Sequence, residues 1–288
     1  MPMRPVVVPF LERRVRDALV RRGVVSRPVR TPAGRIHLYD ARGTGPLPAI
    51  VILHGISASA TGFAAIMMRL RAQAKRVIVP DYPGHGLSDE PSVRLTFDTL
   101  LDAVTGALDG VLGAEDFVLV GNSLGGVVAL DYAVKRASQC RGVVLLSPAG
   151  AQSSREEFAE LVGAFGVKDR RDALRFMARV YHRVPLAAQL IAHELPGTVQ
   201  RRGVQDLFGS VTHENVVPAE ELARLTMPIL FAWGASERLL PDSHLAWWQK
   251  NLPPHAVIER PEGWGHCPHF DQPAGVAERI ASFLRDRA

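Results

Sequence analysis

A series of short β-branched runs, set apart by helical patterns, constrains this chain more than any other feature. Ala49-Ile-Val-Ile-Leu53 is apolar at every position, as a strand covered on both faces must be. The same texture returns at 76–79, 117–120, 142–146, 228–233 and 256–259. Arg35-Ile-His-Leu-Tyr39 instead alternates, like a strand with one buried face. Helical periodicity fills most of the gaps, at 61–73, 96–112 and 125–138, with a last pattern at 273–286. Strand and helix in alternation predict an α/β fold on a mostly parallel, doubly covered sheet.

One gap breaks the rhythm. Between Gly150 and Thr226 the residues are helix-like, with Phe158, Leu161, Phe165, Phe176, Val180, Leu190 and Phe208 set among charges. This stretch is too long for a crossover loop, which predicts a helical cap inserted over one end of the sheet. At the N-terminus, Leu11, Val15, Ala18 and Leu19 recur at helical spacing with arginines between them. Such a helix suits packing on the domain or capping a cavity. Its basic polar face also suits weak contact with a membrane surface. The expected division is an N-terminal amphipathic helical segment over 1–29, a core over 30–150 and 226–288, and a helical cap, or lid, over 151–225.

Composition closes off other classes. A chain of 288 residues with 47% hydrophobic and 22% charged residues has enough apolar side chains for a sizeable core, so disorder, collagen and coiled coil are excluded. The net charge of +5 comes from arginines scattered along the chain, with no basic run interleaved with aromatics, which argues against nucleic acid as a partner. Two cysteines, Cys140 and Cys267, make no disulfide framework and point to a reducing, cytoplasmic compartment. The apolar stretch Val6–Leu11 is cut short by Glu12 and carries no cleavage site, so a signal peptide is not expected.

The chemistry should lie just beyond the carboxyl ends of the parallel strands. After 117–120 stands Gly121-Asn122-Ser123-Leu124-Gly125, a G-x-S-x-G between strand and helix. That turn needs small neighbours and presents the serine hydroxyl at a helix start. No G-x-G-x-x-G and no phosphate-loop lysine are present, so a nucleotide cofactor is not expected. A serine nucleophile needs a base, and the base needs an orienting acid. Glu237 follows the strand 228–233 and His266 follows the strand 256–259, giving the chain order Ser123, Glu237, His266. His269 is a competitor for the base, and His266-Cys267-Pro268-His269 lacks a second ligand group at metal spacing, so no metal is expected. Asp271 reads as the N-cap of the final helix, and Asp242 as the cap of a helix beginning near Ser243.

On these residues the chain resembles the α/β-hydrolase superfamily over roughly residues 30–288. His54-Gly55 stands where that superfamily builds its oxyanion hole, and Asp81-Tyr-Pro-Gly84-His-Gly86-Leu-Ser88 resembles its D-x-x-G-x-G-x-S segment. Gly234 to Pro241 resembles its acid loop, with Glu for Asp, and Gly265-His266 with Asp271-Gln-Pro273 resembles its histidine ending, with Asp for Glu. The resemblance implies a Ser123–His266–Glu237 triad acting through an acyl-enzyme, with the backbone N–H groups of Ile56 and Leu124 as oxyanion donors.

The same resemblance bears on substrate. A serine nucleophile sets the chain apart from haloalkane dehalogenases and epoxide hydrolases, which use aspartate. Gly121-Asn122-Ser123 resembles the corresponding segment of meta-cleavage-product C–C hydrolases, but Ile56-Ser57-Ala58 and Cys267 depart from their pattern. Ser147-Pro148-Ala149-Gly150 is similar to monoacylglycerol-lipase-like members. The expected reaction is hydrolysis of a small-molecule carboxylic ester with a fairly apolar acyl group, with Phe158 and Phe176 as candidate substrate-binding residues. C–C hydrolysis, thioester hydrolysis or acyl transfer, and a non-catalytic binding protein stand as alternatives.

Overall fold

Every second residue of the buried runs points the same way, and this fixes how the layers assemble. The computed structural model describes residues 5–287. The first four residues of the N-terminal segment, and Ala288, lie outside them.

The chain begins with helix α1 (Val7–Arg21), followed by strands β1 (Val25–Thr31), β2 (Gly34–Arg42) and β3 (Ala49–Leu53). Then come α2 (Ala64–Arg71), β4 (Arg76–Pro80), α3 (Phe97–Leu112), β5 (Phe117–Asn122), α4 (Leu124–Lys135) and β6 (Cys140–Leu146). Six helices follow without a strand: α5 (Arg155–Ala164), α6 (Arg170–Val180), α7 (Leu186–Leu190), α8 (Leu195–Val199), α9 (Arg202–Phe208) and α10 (Ala219–Leu222). The core resumes with β7 (Ile229–Ala232), α11 (Asp242–Asn251), β8 (Val257–Glu259), α12 (Pro268–Asp271) and α13 (Pro273–Arg287).

The eight strands form one sheet in the order β1-β2-β4-β3-β5-β6-β7-β8. β1, β2 and β4 pair antiparallel, and every pairing from β4 through β3 to β8 is parallel. On β3, Val51 and Leu53 enter one core layer with Leu100 and Val104 of α3 and Trp248 of α11. Ile50 and Ile52 enter the other, with Ile66 and Met67 of α2 and Val276 and Ile280 of α13. A strand between two helix layers must be apolar on both faces, which is why the run has no alternation. The helices between β6 and β7 enclose a third cluster, including Phe165, Met177, Val180 and Val204.

β1 begins within the segment 1–29 expected to be helical and runs past its end. Arg27, Pro28 and Arg30 hide it, and an edge strand is where a proline lacking its N–H is tolerated. Among the described residues no helix is long and apolar enough to cross a membrane.

Candidate active site

Ser123 sits at the turn from β5 into α4 with φ 54° and ψ −120°. A side-chain-bearing residue in that region costs about 1–3 kcal/mol and persists only where its surroundings force it. Here they are glycines. A Cβ on Gly121 would lie 2.2 Å from the Gly125 carbonyl oxygen, and one on Gly125 would lie 2.1 Å from the carbonyl oxygen of Leu53. A Cβ on Gly55 would come within 3.2 Å of the Ser123 Cβ, so the loop after β3 passes directly beside the serine.

His266 and Glu237 arrive on the loops after β8 and β7. Glu237 Oε2 lies 2.8 Å from His266 Nδ1, and both side chains are buried. The other oxygen, Oε1, accepts from the N–H groups of Leu239 (2.8 Å) and Leu240 (3.1 Å). Burial pushes this carboxyl up, but the charge and hydrogen bond of His266 and the two N–H donors outweigh it, holding the group below the ordinary carboxylate range. An ionised acceptor on Nδ1 keeps the proton there and leaves Nε2 as the basic nitrogen. Asn122 joins the two halves: its Nδ2 donates to the carbonyls of Leu146 (2.9 Å) and His266 (2.8 Å). His269, four residues from Gly265, instead stacks on Phe63 with ring centroids 4.0 Å apart, and burial pushes it down to about 3.

The loop after β3 is fixed from below. Asp81 Oδ1 accepts from the Ala60 N–H at 2.7 Å, and Oδ2 meets His37 Nδ1 at 2.9 Å and the Leu87 N–H at 3.1 Å. Gly86, with φ 49°, lets the chain pass where a Cβ would be 2.0 Å from Asp81 Oδ1. His54 donates from Nδ1 to the Gly55 carbonyl (2.7 Å) and accepts at Nε2 from the Tyr82 N–H (3.2 Å). Ile56 follows, and Ser57 beyond it takes φ 61°. Among the described residues, neither the Ile56 nor the Leu124 N–H donates to a backbone acceptor.

Two carboxylates differ from the sequence expectation. Asp271 does not cap α13. It lies at the end of α12 and accepts from the His182 N–H (2.9 Å) and the Gly265 N–H (2.8 Å), tying the inserted helices to the histidine loop. Asp242 is the first residue of α11 and exposed; its helix has no side-chain cap, because Pro241 occupies the cap position.

Residues 50–279 match the model of the alpha/beta hydrolase family, most of the chain. The chain belongs to the alpha/beta hydrolase family. Haloalkane dehalogenase 2 of Mycobacterium tuberculosis is 28% identical to this hydrolase over 276 residues, covering 88% of this chain and 91% of that one. A bacterial membrane phospholipase A has a similar structure, with TM-score 0.81 and 24% identity over 97% of this chain and 92% of its own. A Bacillus subtilis carboxylesterase matches with TM-score 0.74 and 20% identity over 98% and 100%. At these identities the two structures show the shared fold.

Two cavities of this alpha/beta hydrolase meet at Ser123, Ile56, Phe165 and Leu239. The smaller, about 250 Å³, runs under α5 between Leu124, Val127, Phe158, Leu161 and Phe208. The larger, about 840 Å³, contains His266, Phe176, Met177 and Phe270. Phe158 and Phe176 therefore stand in different cavities. Phe165 divides them, packed on Phe176 and Phe208 with ring centroids 4.9 and 4.8 Å away. Sequence reading expected α1 to pack on the domain or cap a cavity, but did not name Val8, Pro9 and Glu12, which line the larger cavity. It also missed His85, which lines that cavity from the loop after β4. No local pattern announces such contacts, because each depends on a neighbour remote in the chain.

Proposed function

We propose that this protein is a serine hydrolase that cleaves a carboxylic ester with a fairly apolar acyl group. The observation that carries this reading is the Glu237–His266 contact at 2.8 Å on the wall of a cavity that Ser123 also lines. His266 Nε2 takes the proton of Ser123 Oγ as the oxygen attacks the ester carbonyl. The N–H groups of Ile56 and Leu124 hold the oxyanion of the tetrahedral intermediate, each donor contributing roughly 10²–10³ in rate. The imidazolium, stabilised by Glu237, returns the proton to the departing alkoxide, and the alcohol leaves. Water then gives up a proton to His266 as it attacks the acyl-enzyme, and Ser123 is regenerated with release of the acid.

The smaller cavity is lined by aliphatic and aromatic side chains and suits the acyl chain. The larger one then receives the alcohol portion. A fluorophosphonate probe tests the reading: it should label the protein at one site, and Ser123→Ala should abolish both labelling and ester turnover. Turnover of a vinylogous diketone exceeding that of every ester would favour C–C hydrolysis instead. Weak membrane contact through α1 also belongs to this reading, since Phe10 and Leu11 are exposed beside Arg13 and Arg14. Co-flotation with anionic vesicles, lost in Phe10→Ser, tests it.

A further inference from the structure

Glu237 and His266 arrive on loops from two different strands, and their 2.8 Å contact holds only while those loops keep one relative position. At their bases the loops meet directly, the Ser236 N–H donating to the Trp264 carbonyl at 2.9 Å. Beyond that point both are bound to one short stretch of the inserted helices, residues 180–182, where α6 ends.

On the histidine side, the Cys267 N–H donates to the Val180 carbonyl at 2.9 Å. Asp271 accepts from the His182 N–H (2.9 Å) with one oxygen and from the Gly265 N–H (2.8 Å) with the other. On the acid side, His182 Nδ1 lies 2.7 Å from Ser236 Oγ, and one Arg238 nitrogen donates to the carbonyls of Tyr181 (2.6 Å) and His182 (3.0 Å). The chain neighbours of Glu237, Ser236 and Arg238, and those of His266, Gly265 and Cys267, are thus all tied to residues 180–182. The fit admits no side chain on Gly265, whose Cβ would lie 2.6 Å from the His182 nitrogen and 2.7 Å from the Tyr181 carbonyl carbon.

A hydrogen bond between two side chains does not by itself fix the backbones that carry them, because each side chain keeps rotamer freedom. A displacement of about 1 Å in a catalytic group can cost about 100-fold in rate. A segment that grips both loops at once therefore bears on turnover and not only on stability. Asp271 carries that grip to His266: it takes one N–H from the histidine loop and one from the inserted helices, so the two cannot part without breaking one of its hydrogen bonds.

We propose that residues 180–182 act as a splint for the catalytic pair, with Asp271 as a positioning residue that acts through His266 and holds the base in line with Glu237 and Ser123. This rests on the serine-hydrolase reading above. This end of the cap then stays seated through turnover, since lifting it would separate acid from base.

The test measures kcat and KM on an ester, with active sites counted by fluorophosphonate titration so that misfolded protein drops out of kcat. Asp271→Asn turns one acceptor into a donor facing an N–H and keeps a single hydrogen bond. Its kcat per titrated site should fall about 10-fold with KM within about twofold, and Asp271→Ala should fall further. Ser236→Ala, which releases the acid side, should also lower kcat. In the double variant of Asp271→Asn and Ser236→Ala the loss should be smaller than the product of the separate losses, because releasing either side already lets the pair drift. Should Asp271→Ala fail to fold, Asp271→Asn and Ser236→Ala decide. A lowered melting temperature with kcat per titrated site unchanged in Asp271→Asn overturns the splint and leaves ester hydrolysis standing, as do losses that simply multiply. A wild type that takes the phosphonate and cleaves no ester overturns the ester reading instead; the rate of phosphonate capture, which draws on the same base, then still reads the splint.

Discussion

The side-chain amide of Asn122 donates to the backbone carbonyl of His266 at 2.8 Å, joining residues 144 positions apart. The residue before the serine thus fixes the loop that carries the histidine, and its second hydrogen bond, to Leu146, anchors it to the neighbouring strand. Asn122→Ala should leave the buried His266 carbonyl without its donor, at about 1–3 kcal/mol, while the Leu146 carbonyl keeps the Ser123 N–H at 3.2 Å, and should lower kcat about 10-fold or more with KM little changed. Asn122→Asp should be worse, because an acceptor would then face two acceptors. Parallel kcat, KM and melting measurements on the two variants check the order; equal kcat in wild type and Asn122→Ala would show that the tether does not position His266.

Ser123→Ala should fold, because alanine adopts the same φ as serine at the same cost and the glycines that make room for the turn are untouched. Turnover should fall by roughly 10⁴–10⁶. Kinetics with a melting curve on the same preparation check this, and a variant that keeps its turnover would remove the serine mechanism.

Glu237→Gln should lower kcat by about 10⁴ while the loop keeps its shape, as an amide can still hydrogen-bond but cannot stabilise the imidazolium. Asp242→Asn should stay within about twofold in both activity and stability, since Asp242 is exposed and caps nothing. A collapse of activity in Asp242→Asn with Glu237→Gln near wild type would exchange the two assignments.

Phe158 and Phe176 should give different phenotypes because they line different cavities. Phe158→Ala should shift the preferred acyl length upward, while Phe176→Ala should change discrimination among alcohols of one acid. A matrix of three acids by three alcohols separates the two, and a uniform loss across the matrix in either variant would mean that its ring serves packing alone.

Glu194 gives a pH dependence with a defined sign. Burial raises its carboxyl, but the N–H groups of Val7, Val8 and Val6 outweigh that, and the folded value lies below the ordinary one. A depressed folded value contributes stability above the unfolded value, about 4.3, and loses it as pH falls through the folded value. Below about pH 4.3, α1 should therefore loosen, and pepsin, which is active in acid, should begin to cut beside the exposed Phe10 and Leu11 ahead of the core. Glu194→Gln should already be loosened at neutral pH, where trypsin should cut it at Arg13 and Arg14 faster than wild type; protection at neutral pH equal to wild type would show that the carboxylate does not hold the helix.

The sheet was legible because a doubly covered strand must be apolar along its whole length, so Ala49–Leu53 and Phe117–Val120 announce themselves. Ser123 was legible because its turn demands Gly121 and Gly125 at fixed offsets. Glu237 was legible through its spacing from Gly234 and Pro241, even with glutamate in place of the commoner aspartate. What stayed hidden depends on partners far along the chain. Asp271 reads as a cap until the N–H groups of His182 and Gly265 are found on it. Glu12 reads only as the residue that ends the apolar stretch Val6–Leu11 until α1 is found to place it on the wall of the larger cavity. β1, with Pro28 and its arginines, carries no apolar signal because it is an edge strand.

The meeting of both cavities at Ser123 has a kinetic consequence. If, as proposed, an acyl group is held on Ser123 with its chain in the smaller cavity, the path for an incoming nucleophile would be the space the alcohol has vacated. Water and any competing alcohol must both come that way, past α1. On that proposal the wall of the larger cavity, to which α1 contributes, would govern the ratio of free acid to transesterified product, so a change on the N-terminal helix would alter which products accumulate without touching Ser123, His266 or Glu237.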